Sequence, residues 1–387
     1  SGTLRLKELR EFPCSCPVCA NSTPREILGL NENDRIDALS RHNLYASIEE
    51  IKRVKQSIYD GSLFELVERR SRSHPYLLEG LRHFLSHDIE RFSPVTKRSA
   101  FFFFGPESLE RPEVKRHLER LKKIEKGRCL MLLPDGKKPY SEAYDIASTK
   151  ERHICIASPV FGIIPLEVEE VYPLGQHEHS GKISQEQAEF IKSCIKNYGH
   201  FERVLVHKDL DFLGIEGEVF EDISDFKTDR RSRENVELKL RAISDYQFGR
   251  GAGDALIRDV SVQWARTGRI RRIYSGDEVI ATLRAHDGYL ILTPPGANRL
   301  LNLPFPKNRV VATDDAVEFV RDGKSLFAGF VAGSDPEIRP YQEVIVVDKE
   351  DRFLGTGRTL LNSREMEAFE RGVAVKIRHK AQSDTIK

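Results

Sequence analysis

"PCSCPVC", Pro13–Cys19, gathers three of the chain's six cysteines on one turn, at Cys14, Cys16 and Cys19. Three thiolates so placed suit a tetrahedral zinc ion that still needs one ligand. An odd-numbered cluster pairs poorly as disulfides. The other cysteines, Cys129, Cys155 and Cys194, stand singly in apolar surroundings, as small buried residues do. The missing ligand must then be a histidine, and His42, His74, His83 and His87 are the candidates. His42 lies 23 positions beyond Cys19 and requires the shortest closure. The competing reading is a set of free or buried thiols.

Beyond the cysteines, Ile48, Ile51, Val54 and Ile58 recur at helical spacing. Ser47 with Glu50 reads as a capping box, so this helix is predicted to start at Ser47 and to stop at Asp60-Gly61. A second helix is expected from Ser62 to about Arg72, and a third opens at Pro75.

With 387 residues the chain is too long for one ordinary core, and two to four domains are expected. Its 61 Lys+Arg nearly balance 60 Asp+Glu, so any affinity for nucleic acid must come from local patches. No apolar run approaches the roughly 18 residues that span a bilayer. The start, "SGTLRLKELREF", lacks the apolar core of a signal peptide. The chain is therefore read as cytoplasmic, with no membrane partner. The opening Ser1-Gly2 in place of Met reads as a processed or engineered end.

The texture then changes to α/β. "AFFFF" (Ala100–Phe104), "CLMLLP" and "HICIASPVFGIIP" read as buried strands, and a charged helix is expected from about Pro112 to Lys126. The polar run "DISDFKTDRRSRENVE" (Asp222–Glu237) reads as a linker or domain boundary. A small α+β region follows, and from about Pro306 strands alternate with Gly-bearing turns, as in a small β-barrel. The fold class is α+β multidomain: a helical zinc-binding segment (1–92), an α/β accessory domain (93–235), a small α+β domain (236–305) and a carboxy-terminal barrel (306–387).

Two basic stretches carry no acid. "RTGRIRR" contains Arg266, Arg269, Arg271 and Arg272, and "RGVAVKIRHK" contains Arg371, Lys376, Arg378 and Lys380. Phosphate binding and solvated strand faces are both open readings. No Walker-type loop is present, and "GRGAGD" (Gly249–Asp254) is too weak to indicate a dinucleotide site. His177 and His179 in "GQHEHSG" are read as a flexible loop rather than a metal site.

Taken together, "LRLKELREFPCSCPVC" and "RHNLYASIEEIKRVKQSIYDGSLFELVERRSRSHP" resemble the zinc-binding end of archaeal tRNA-guanine transglycosylases. In that family Cys-x-Cys-x2-Cys and a His before Asn-Leu hold one zinc, which implies Zn2+ at Cys14, Cys16, Cys19 and His42 here. "FFFFGPESLERPEV", "ASPVFGIIPLEVEEVYPL" and "TGRIRRIY" resemble the family's accessory domains. "AVEFVRDGKSLFAGFV", "LGTGRTLL" and "RGVAVKIR" resemble a PUA domain, a module that binds the acceptor end of tRNA. The resemblance implies tRNA contacts at Gly323, Lys324, Ser325, Arg358, Arg371 and Arg378, with Lys376, Arg266, Arg269, Arg271 and Arg272 added from the basic runs. It also implies exchange of a D-arm guanine for 7-cyano-7-deazaguanine, and a dimer through the zinc-bearing region.

In the family a (β/α)8 barrel with the catalytic aspartates precedes the zinc motif, whereas here thirteen residues precede Cys14. The expectation is that either a separate chain supplies the barrel or this chain is a fragment of the enzyme. The related archaeosine synthases carry a Pro-Cys, Lys-Pro-Tyr, Ser, His pattern. "PDGKKPYSEAYDIA" keeps Pro134 and Lys138-Pro139-Tyr140, but has Asp135 for the Cys and Ala143 for the Ser. A synthase-like activity is therefore the runner-up, and a non-catalytic tRNA-binding module the third reading.

Overall fold

The computed structural model describes residues 5–381, so Ser1 and Gly2 lie outside the described residues. The chain divides into two compact units, one from residues 1–86 with 97–99 and one from 87–96 with 100–387.

The first unit is helical. Two short helices, Pro17–Ala20 and Pro24–Gly29, each begin on proline, and Thr23 and Glu26 close a capping box on the second. A 29-residue helix follows, Glu32–Asp60. Its N-cap is Asn31, whose side chain accepts from the Asp34 amide, and Glu32 and Asp34 sit favourably in the first turn. The expected start at Ser47 is therefore corrected. Residues 32–46 contain neither Gly nor Pro, so nothing interrupts the helix, and Ser47 and Glu50 lie in its interior. The stop is where the sequence places it. Gly61 takes φ +80°, and a Cβ there would stand 2.9 Å from Lys97 Cβ. Helices Leu63–Ser71 and Pro75–Leu85 complete the unit.

The second unit opens on an α/β layer. A five-stranded sheet runs in the order Gly162–Pro165, Arg152–Ser158, Cys129–Pro134, Arg203–His207, Glu218–Phe220. All neighbours are parallel except the antiparallel pair at the Gly162 edge. Its central strands are buried on both faces, which is why they read as unbroken apolar runs. The phenylalanine run is shorter as a strand than expected. Only Phe101–Phe102 pair, parallel to His177–Glu178; Phe101 is fully buried, whereas Phe104 is 57% exposed. The polar run at 222–237 is also not wholly a linker, because helix Arg233–Phe248 begins inside it, capped by Ser232. That helix crosses residue 235, where one domain boundary was expected.

A four-stranded antiparallel sheet follows, ordered Leu290–Leu292, Glu278–Leu283, Ile270–Ser275, Ser261–Trp264. The last region is a six-stranded sheet, ordered Leu326–Phe327, Val373–Lys380, Phe353–Thr359, Glu343–Val347, Arg309–Ala312, Val331–Ser334, which curls into a nearly closed barrel. Val310, Ile338, Val344, Val346, Leu354 and Val375 fill its core. Among the described residues no helix is long and apolar enough to cross a membrane.

Candidate metal centre and nucleic-acid interface

Cys16 is the N-cap of helix Pro17–Ala20, and its sulfur accepts from the Cys19 amide at 3.5 Å. The Cys14 sulfur accepts from the Cys16 amide at 3.4 Å. The loop thus orients two of its three sulfurs with its own backbone donors. The long helix then carries His42 back to them, nearly three turns from its start, about 15 Å along the axis. His42 Nδ1 lies 3.2 Å from Cys19 Sγ and 3.5 Å from Cys16 Sγ. All four ligand atoms fall within 4.8 Å of one another, and Cys16 and Cys19 are buried. This group contains none of His74, His83 and His87.

These residues fit a metal ion. Around zinc, with Zn–S near 2.3 Å and Zn–N near 2.0 Å, tetrahedral S···N edges are about 3.5 Å and S···S edges about 3.8 Å. Electrostatics point the same way. Burial acts to raise the Cys16 thiol, but the Cys19 amide and His42 outweigh it and hold it below the usual thiol range. Burial and the neighbouring Cys16 thiolate push Cys19 above that range. Three thiolates cannot be ionised side by side unless a cation lies among them. With all four bound to an ion no position would be open for water, an arrangement suited to a structural centre.

The basic residues of the sequence reading are differently placed. Gly323 and Lys324 close a helix. The Gly323 amide donates to Val320 O and the Lys324 amide to Phe319 O, a Schellman pair for which Gly323 supplies φ +85°. The Lys324 ammonium lies 5.0 Å over the Phe319 ring, and Ser325 leads into strand Leu326–Phe327. Arg358 stacks 4.8 Å over Tyr341. Arg378 stands at a β-bulge, between residues paired to Gly357 and Thr356, and binds Glu343 at 2.6 Å. Arg371 and Lys376 are exposed. On the other basic run, Arg269 pairs with Glu170 at 3.0 Å, while Arg266, Arg271 and Arg272 are exposed.

Two groupings arise that the sequence reading did not assemble: the first joins its Lys138-Pro139-Tyr140 stretch to its His177 and His179, and the second was not singled out. At the carboxyl end of strand Cys129–Pro134, Asp135 accepts from Tyr140 OH and binds His179 Nε2, each at 2.5 Å. Burial acts to raise the Asp135 carboxyl, but these two partners outweigh it and hold it low. Burial lowers Lys138, which donates to the His177 carbonyl. His177 is buried within a strand, so the run is not a flexible loop. Neither His177 nor His179 joins a metal-binding group among the described residues. The second grouping is Arg231, whose guanidinium lies 5.5 Å over the Trp264 ring. Thirty-odd residues separate the pair, and no local pattern links them.

Comparison with known proteins covers nearly the whole chain. A family model described as Queuine tRNA-ribosyltransferase matches residues 1–76, and a domain of unknown function matches 114–239. The Patch-forming domain C2 of tRNA-guanine transglycosylase matches 238–306, and the PUA domain matches 308–381. A tRNA-guanine(15) transglycosylase from Methanobrevibacter smithii is 39% identical over 97% of this chain and 60% of its own length. That of Methanocaldococcus jannaschii is 41% identical over 97% of this chain and 58% of its own. The chain thus spans about three-fifths of the length of the curated relatives it matches. A crystal structure of a protein of unknown function superposes with a TM-score of 0.50 at 20% identity, covering 70% of this chain and 99% of that one, a likeness of fold alone.

Proposed function

From its similarity along 97% of its length to archaeal tRNA-guanine(15) transglycosylases, we propose that the chain is the zinc- and tRNA-binding portion of such an enzyme. The reaction is exchange of a D-arm guanine in tRNA for 7-cyano-7-deazaguanine. The catalytic barrel comes from outside these 387 residues. The observation that carries this reading is the near-full-length similarity to relatives of which the chain spans only three-fifths. Among the described residues the sheets have two, four, six and five strands, and none is an eight-stranded parallel barrel.

In this role Cys14, Cys16, Cys19 and His42 hold Zn2+ and fix the helical unit. The exposed stripe Leu44, Ile48, Ile51 and Ile58 on the long helix supports an apolar partner, the barrel, with a second copy of the chain as a further one. The barrel-like PUA region and the hairpin bearing Arg266, Arg269, Arg271 and Arg272 hold tRNA by shape and phosphates. Lys324, Arg358, Arg371 and Lys376 contribute to the same grip, and Gly323 and Ser325 shape its turn.

The test is guanine exchange into tRNA, first with this chain and then with a candidate barrel chain added. Exchange only in the mixture, with the two co-purifying, is expected. Exchange by this chain alone would overturn the division of labour.

A second reading rests on the Asp135, Lys138, Tyr140 and His179 cluster, which lies at the carboxyl end of a parallel strand where α/β sheets bind ligands. There the chain would act on tRNA already carrying the cyano base. Lys138→Ala would abolish such an activity, and an unchanged rate in that variant would remove this reading.

A further inference from the structure

The basic groups around the cavity between helix Arg233–Phe248 and the hairpin Ser261–Ser275 are unequally neutralised. The cavity has a volume of about 90 Å³, and Val236, Ile270 and Trp264 form its apolar wall. Arg230 is drawn to Glu142 and Asp145. Lys239 and Arg269 share Glu170, whose carboxyl they hold below the usual range against the opposing effect of burial. Arg231 has no acidic partner among the described ion pairs and instead lies over the indole of Trp264. Trp264 keeps 38% of its surface exposed. Arg231 and Trp264 also line a more open cavity of about 440 Å³. The pair therefore presents an aromatic face and an uncompensated cation to both spaces. Gly268, at φ +77°, makes the turn beside it, where a Cβ would stand 3.3 Å from an Arg231 nitrogen.

We propose that these two spaces, which share Arg231 and Trp264, together receive one unpaired nucleotide of RNA, its base stacked on Trp264 and its phosphate received by Arg231. The inference rests on the tRNA-binding reading above and names a specific contact within it. An inorganic anion would use the cation and leave the indole idle. A greasy ligand would use the indole but would not benefit from the cation. A nucleotide uses both, because every base has a π-face and every phosphate a charge. The exposed Arg266, Arg271 and Arg272 on the same hairpin, without an acidic partner among the described ion pairs, extend the cationic path along which the neighbouring phosphates would run. Glu142 and Glu170 on the wall offer acceptors to the donor edge of a base.

Trp264 is the chain's single tryptophan, so its fluorescence reports this site alone. The full chain is titrated with a short single-stranded RNA, with an abasic strand of equal length, and with a nucleoside monophosphate. The RNA is expected to quench Trp264 emission, and the abasic strand to bind without quenching. Measured with a labelled RNA, Trp264→Leu should weaken binding by roughly 5- to 100-fold, as loss of one base stack does. Arg231→Gln should weaken binding and lower the salt dependence. Trp264→Phe should largely restore affinity, which a merely structural role for the indole would not require. RNA binding with unquenched emission and full affinity in Trp264→Leu would overturn the site while leaving tRNA binding intact. Absence of tRNA binding by the unaltered chain would instead overturn the reading on which the site rests. A monophosphate that quenches and binds as tightly as the strand would overturn the assignment to RNA.

Discussion

His42 Nδ1 stands 3.2 Å from Cys19 Sγ, although 23 residues separate them and His42 lies on a different helix. That approach adds a fourth potential ligand to a three-cysteine turn.

One equivalent of zinc per chain is expected by elemental analysis. Cys19→Ser or His42→Ala should lower metal content and unfold the helical unit at lower temperature, because the binding free energy of a structural zinc is folding free energy. Mild acid should release the metal, since protons compete for thiolates and imidazole. Full metal retention in both variants would refute the ligand set.

Gly61→Ala should destabilise the helical unit by about 1–3 kcal/mol in urea denaturation. The left-handed φ of +80° and the 2.9 Å approach to Lys97 Cβ both act against a side chain. Gly29→Ala, with nothing within 4 Å of the added carbon, should be near neutral.

His117 is fully buried, with Nδ1 on Tyr246 OH at 3.0 Å and Nε2 on the Ile163 carbonyl at 2.7 Å. Burial lowers it from 6.5 to about 4. The unfolded chain therefore binds the extra proton between pH 6.5 and 4, and stability falls as pH drops through that window, by up to about 3 kcal/mol. Denaturation midpoints of the chain and of His117→Asn across this range test it. An equal slope in the two would exclude His117 as the source.

Arg378 and Lys376 should separate. Burial raises Glu343 to about 7 against the pull of Arg378. Arg378→Gln should raise that carboxyl further, so that it takes up a proton near neutral pH and the cost in stability grows as pH rises above 7. Lys376→Gln should leave stability unchanged and lower the slope of tRNA affinity against salt by about one unit. The measurements are thermal melts and salt-dependent binding.

Legibility followed the distance over which the deciding interactions act. "PCSCPVC" displayed three thiols of the metal-binding group because they lie on one turn, and Gly61 announced a helix end because a single φ decides it. The apolar strands Cys129–Pro134 and Arg152–Ser158 were readable because burial on both faces requires unbroken hydrophobicity. The start of the long helix was misplaced because Ser47 and Glu50 carry the pattern of a cap, while Asn31, sixteen residues earlier, performs it. Such a pattern is only a competitor until the whole helix is known. The phenylalanine run carries no mark that separates buried Phe101 from exposed Phe104.

The sequence by itself determined the elements whose energy is local: the thiolate turn, the helix stops, the buried strands and the basic runs. Only the tertiary structure decided which charges remain available. It joined Arg378 to Glu343 across 35 residues, Arg269 to Glu170 across two regions of the second unit, and left Arg231 over Trp264. A side chain's charge is set by its neighbours in space. In a folded chain those neighbours come from segments whose separation carries no sequence signal.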